Sequence, residues 1–217
     1  MTSLVQGSPP NSVCRTAGGR VAAFADTDEL LQFARTFLRD RTDSLQRDVL
    51  VCIHGGTAAF PAILYCLSTI DLLGALLGGD AKSASGVTDR AKAYARRFMH
   101  YSVDQCDLLW GVFRHKIVHL AQPNPVRLFN GKKTTWGYWH DDGGHHLKLV
   151  PLDPPLRETR ASGLLMEAEQ RFEISIRHLV ADIVDSVHAP AGYLHTLGSD
   201  AHLQEKFTKA VAEIHEP

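Results

Sequence analysis

The chain has 217 residues, 44% of them hydrophobic, and a formal net charge of −1. That is enough apolar material for a real core, and it excludes disordered, fibrous and collagen-like classes. A near-neutral total also excludes a polyanion binder that works through bulk charge, although the charge is unevenly spread. Residues 88–148 carry ten Lys/Arg against five Asp/Glu, and the remainder thirteen against nineteen, so a +5 segment sits in a −6 background.

Residues 1–24, rich in Gly, Pro and Ser, read as a flexible arm, and 25–217 as one helical domain. Asp26 with Glu29 three residues on predicts a capping box. Leu30, Ala34, Phe37, Leu38, Leu45 and Val49 then recur at helical spacing to about residue 48. Gly55-Gly56 breaks the run, and Pro61 fits the first turn of a second helix that ends at Gly78-Gly79. The stretch Thr57–Gly79 holds one charge in 23 residues and is long enough to span a bilayer. Asp71 in its middle, among Tyr65, Ser68 and Thr69, favours a helix buried in a bundle, so no membrane association is expected.

Thr88 predicts the cap of a third helix bearing Arg90, Lys92, Arg96 and Arg97. A fourth runs from about Val103 to Leu120, with a seam of Cys106, Leu109 or Trp110, Phe113, Ile117 and Leu120, and Pro123 ends it. The period then changes. Residues 134–140 and 145–150 flank Asp141-Asp142-Gly143-Gly144, which predicts a β-hairpin inserted over about 126–150. Leu165, Phe172, Ile176, Leu179, Val180, Ile183 and Val187 predict a long fifth helix, and Ser199 caps a last one through Leu203, Phe207, Val211 and Ile214. The fold class is therefore all-α, a helical bundle with an inserted β-hairpin.

Cys14, Cys52, Cys66 and Cys106 show no paired or zinc-like spacing, and three of them lie in apolar helical text and read as small buried hydrophobes. With no basic segment and apolar run at the N-terminus, the expected location is cytoplasmic. His115 and His119 stand at i,i+4 but lack a third ligand, and His140, Asp141, Asp142, His145 and His146 form a denser ligand-like group. Neither pattern assigns a metal, and no cofactor is expected. Trp136, Tyr138 and Trp139 pack on the bundle by default, with base stacking or a second subunit as alternatives. There is no phosphate-cradling glycine loop and no nucleophile elbow.

The segment with most chemistry is Trp110–Pro123, WGVFRHKIVHLAQP. Arg114 and His119 are five apart, about 140° around an ideal helix, so they flank a groove rather than stack. Arginine offers a fixed fork to phosphate oxygens, and histidine moves a proton near neutral pH. Together they suit cleavage of RNA by its own 2′-hydroxyl without a metal. Arg114-His115-Lys116-Ile117-Val118-His119 resembles the Arg-x4-His signature of the HEPN superfamily. The apolar helix Ala62–Gly74 containing Asp71 resembles the helix that precedes the motif in bacterial HEPN-like proteins, so the likeness spans about residues 30–190.

The resemblance implies a compact helical homodimer whose two motifs share a cleft. It also implies metal-independent cleavage of single-stranded RNA to a cyclic phosphate and a free 5′-hydroxyl, in a toxin or defence setting with an antitoxin partner. Other members of that superfamily are non-catalytic RNA-binding or protein-interaction modules. On this likeness Arg114 orients or stabilises the phosphate, His119 transfers protons and His115 takes the supporting polar position, where relatives often carry Asn or Asp. Arg114 pairs with Asp107, seven residues earlier, or with Asp71 from the neighbouring helix. Asp71 is then either a carboxylate that orients the arginine or a core carboxylate satisfied by Ser and Thr. Lys116, Arg96 and Arg97 are RNA-contact candidates beside their plainer reading as a solvated face, and His119 has its own plain reading as a helix-end histidine.

Overall fold

The structure, a computed structural model, describes residues 24–54, 58–115, 117, 125–141, 143–159 and 165–215. The expected N-terminal arm, the Gly55-Gly56 bend, Lys116 and His119 lie outside the described residues.

Helix α1 spans Thr27–His54. Asp26 Oδ1 accepts from the Glu29 N–H at 2.9 Å, and Glu29 reaches back to the Ala25 N–H at 2.7 Å, so two orphan donors of the first turn are satisfied reciprocally. The buried stripe continues past the expected end through Val49 and Ile53, which is why the helix does too. Helix α2, Ala59–Gly78, runs through the core with Ala62, Ile63, Cys66, Leu67, Ile70 and Leu73 buried. It is long and apolar enough to cross a membrane, and half of it is covered by the bundle. Gly79 ends it at φ +71°, its N–H donating to the Ala75 carbonyl at 2.8 Å.

Helix α3 covers Val87–Phe98. Its N-cap is Gly86 at φ +72° with no side-chain bond, so the expected Thr88 cap is not made. Arg90 instead ties down the preceding loop through Asp80 and the Ser83 and Ser85 carbonyls at 2.8–2.9 Å. Helix α4, Val103–Leu108, starts with a full capping box between Ser102 and Gln105. It then widens into a π-helical segment, Leu109–Arg114. A regular α-helix offers the seam one of Leu109 and Trp110, but the wider π turn buries both, together with Val112 and Phe113.

The β region is larger than a hairpin and differently wired. Strands β1 (Arg127–Phe129), β2 (Lys132–Trp139), β3 (Lys148–Thr159) and β4 (Leu165–Ser175) form one mixed sheet in the order β1-β2-β4-β3. β2 runs parallel to β4, and β3 is antiparallel to it, so the expected pairing of 134–140 with 145–150 is not formed. β4 lies between them because its Phe172 has apolar partners on both sides, Trp136 on β2 and Leu149 on β3.

The real hairpin joins β1 to β2 across Asn130-Gly131, at φ +50° and +74°. These paired positive φ values belong to the Asn-Gly turn that matches strand twist. A Cβ on Gly131 meets nothing within 4 Å, so the cost of Gly131→Ala is conformational alone. It should destabilise the protein by about 1 kcal/mol in a denaturant titration; an unchanged midpoint would contradict the turn assignment.

The expected fifth helix is corrected at its start. Residues 165–175 are strand β4, and α5 spans Ile176–His188. The sheet is wedged against the bundle by Trp136, whose ring meets Phe60 of α2 at 5.4 Å and Phe113 of the π segment at 6.4 Å. Helices α6, Tyr193–Ser199, and α7, Ala201–His215, close the chain. Asp200 rather than Ser199 caps α7, accepting from the Leu203 N–H at 3.0 Å. The fold is thus mostly helical with a four-stranded mixed sheet inserted between α4 and α5.

Candidate functional site

Two elements bring the central pair together. Asp71 projects from the middle of α2, and Arg114 ends the π segment that packs across it. The Arg114 Nε donates to Asp71 Oδ2 at 2.7 Å, with side-chain exposures of 22% and 12%. This is neither a surface ion pair, worth little, nor a sealed one. The bond is made through Nε alone. Among the described residues the two terminal nitrogens of Arg114 have no acceptor, and they are not sealed from solvent. Asp71 Oδ1 is buried with no hydrogen-bond partner among the described residues. The carboxylate is therefore committed to aiming the guanidinium and is not a core group satisfied by hydroxyls; Thr69 Oγ1 donates to the Tyr65 carbonyl instead.

Asp107 does not pair with Arg114. Its carboxylate takes Lys92 of α3 at 2.6 Å, and its carbonyl takes Arg127 Nη1 of β1 at 2.9 Å. Burial pushes the Cys106 thiol up to about 11, against the downward pull of the Arg96 and Lys92 charges. Arg97 points elsewhere, within 3.8 Å of Asp200 and with its guanidinium 5.0 Å from the centre of the Phe98 ring. Of the proposed RNA-contact residues, Arg96 is exposed near the end of α3, Arg97 faces α7, and Lys116 lies outside the described residues. His115 is exposed next to Arg114. His119, the proton-transfer candidate, lies outside the described residues.

The histidines of the β region are engaged separately. His145 Nδ1 bonds the fully buried Glu173, which Arg171 holds from its other oxygen. His146 accepts the Ser175 backbone N–H at 3.1 Å through Nδ1, so its Nε2 carries the proton and donates to Asp182 at 3.0 Å. Tyr101 donates to the same Asp182 oxygen at 2.7 Å, and burial followed by this carboxylate pushes the phenol well above its ordinary range. With neighbouring rings committed to different carboxylates, no group of three or more metal-ligating side chains forms among the described residues.

Sequence reasoning missed Arg127. Its Nη1 lies 1.2 Å from where a Cβ on Gly111 would stand, so the guanidinium rests in the place of a missing side chain on the π segment. The available signal was Gly111 itself, an isolated glycine within an apolar helical pattern.

Comparison of the chain with protein-family models, with curated proteins and with solved structures gives no match.

Proposed function

We propose that the chain is a HEPN-type, metal-independent endoribonuclease acting on single-stranded RNA as a homodimer. The observation that carries this reading is the state of Arg114, clamped through Nε by a nearly buried carboxylate while both terminal nitrogens lack an acceptor among the described residues. A fork that is rigid at its base and unsatisfied at its tip suits a phosphate, whose oxygens accept two parallel N–H bonds. In the proposed reaction the 2′-hydroxyl attacks the adjacent phosphorus and the 5′-oxygen leaves. Arg114 stabilises the charge that develops on the phosphoryl oxygens, and His119 transfers the proton. Asp71 is a positioning residue that acts through Arg114.

The test is incubation of purified protein with several unstructured RNAs in the presence of EDTA. Cleavage that persists with the chelator, in a protein that sediments as a dimer, is the expected result. Intact RNA at every protein concentration would sink the reading.

A further inference from the structure

We infer that Arg127 forms a second phosphate-binding position on the motif-bearing helix, so that single-stranded RNA lies along that helix and not only at Arg114. The inference rests on the nuclease reading for its ligand, but its geometry stands separately. Arg127 is half-buried on β1, and one of its five donors is spent on the Asp107 carbonyl. Its Nε and Nη2 have no acceptor among the described residues and are not sealed from solvent.

Gly111 supplies the seat, since any side chain there would occupy the guanidinium's place. His115 follows Gly111 by four residues, on the same side of the helix in either α or π winding, and Arg114 is its neighbour. Arg127 therefore sits about one turn before His115, and three residues before Arg114 along the same segment. A helical turn rises about 5.4 Å, within reach of adjacent phosphates on an extended strand. Lys92 stands on the other side of Asp107, on its carboxylate.

A purely structural role is the competing account, because Arg127 also braces the junction of α4 with the π segment. Three variants separate the two. Gly111→Ala keeps every charge, evicts only the flexible end of Arg127, and gives the helix a better former. Arg127→Met removes the charge, and Arg127→Lys restores it without the fork. The probe is a fluorescent 2′-O-methyl oligouridine of about twelve nucleotides, which cannot be cleaved, titrated by anisotropy across a range of salt.

Arg127→Met should bind about fivefold more weakly, with the slope of log affinity against log salt shallower by about 0.7, the value for one lost single-strand phosphate contact. Arg127→Lys should recover the slope but only part of the affinity. Gly111→Ala should lose affinity by a similar factor while melting no lower than the parent. If the parent binds and the three variants match it in affinity and slope, the second position is overturned while the role of Arg114 stands. If the variants bind more weakly only in proportion to lost melting temperature, the brace account wins. If the parent does not bind the probe even at low salt, this inference falls together with the reading beneath it.

Discussion

Replacing Arg114 by Met should lower RNA cleavage by about two to three orders of magnitude, the scale of losing one preorganised group that stabilises transition-state charge. Activity alone is an incomplete readout here. Asp71 is 12% exposed and one of its oxygens is already unpartnered among the described residues, so removing Arg114 leaves a carboxylate with no counter-charge. The fold should lose stability as well, in the direction of a broken buried pair. The double change Arg114→Met with Asp71→Leu removes both partners and should recover stability without recovering cleavage. Asp71→Asn keeps the shape and an oxygen that can accept from Nε but removes the carboxylate charge, and should lower cleavage less than Arg114→Met does. A variant series in which cleavage merely follows the melting temperature would show that Arg114 is structural.

A second stability effect is expected at Gly74, where α2 crosses α3. An added Cβ would stand 2.6 Å from the Ala91 nitrogen and 2.7 Å from the Ala91 Cα and the Arg90 carbonyl carbon, all backbone atoms that cannot rotate away. In an isolated helix Gly→Ala stabilises by about 1 kcal/mol. At Gly74 the helices must separate, and overpacking of a filled core costs about 1–3 kcal/mol or more, so the sign should reverse. Gly74→Ala is expected to be a net destabilisation of about 1–2 kcal/mol, and Gly74→Val about 3 kcal/mol, in urea titrations. Gly198 is the internal control: its added Cβ would meet only a Leu31 methyl at 3.9 Å, so Gly198→Ala should be neutral or slightly stabilising. Equal responses at the two glycines would mean that the α2–α3 approach is looser than described.

The parts of this molecule that were legible in sequence are those set by strong one-dimensional patterns. The apolar run around Asp71 marked a core helix, and the lone carboxylate within it called for either a cation or hydroxyl partners, of which the structure has the cation, Arg114. The choice between Asp71 and Asp107 as that partner was not legible, because it turns on Lys92, fifteen residues before Asp107, reaching the latter first. The π winding of Leu109–Arg114 left no mark beyond the awkward choice between Leu109 and Trp110 for one seam position, which the structure resolves by burying both.

The sheet was misread where two periods coincide. Leu165 and Phe172 are seven apart, which suits a helix, yet Met166, Ala168, Gln170, Phe172 and Ile174 alternate with Glu167, Glu169, Arg171 and Glu173, which is the pattern of a strand. The Asn130-Gly131 pair was the stronger hairpin signal, and Asp141–Gly144 drew the turn away from it. At the site, the sequence narrowed the partner of Arg114 to Asp71 or Asp107, whereas Arg127 is a long-range arrival marked only by a glycine.

Function, on this reading, turns on proton transfer at His119 acting on a phosphate that Arg114 holds. The most direct measurement is end-group analysis of RNA fragments made in EDTA by the parent and by His119→Ala at equal folded concentration. The parent should leave 2′,3′-cyclic phosphate and 5′-hydroxyl ends, and the variant should cut more slowly by about two to four orders of magnitude. Fragments bearing 5′-phosphate ends, or a His119→Ala variant that cuts as fast as the parent, would contradict it.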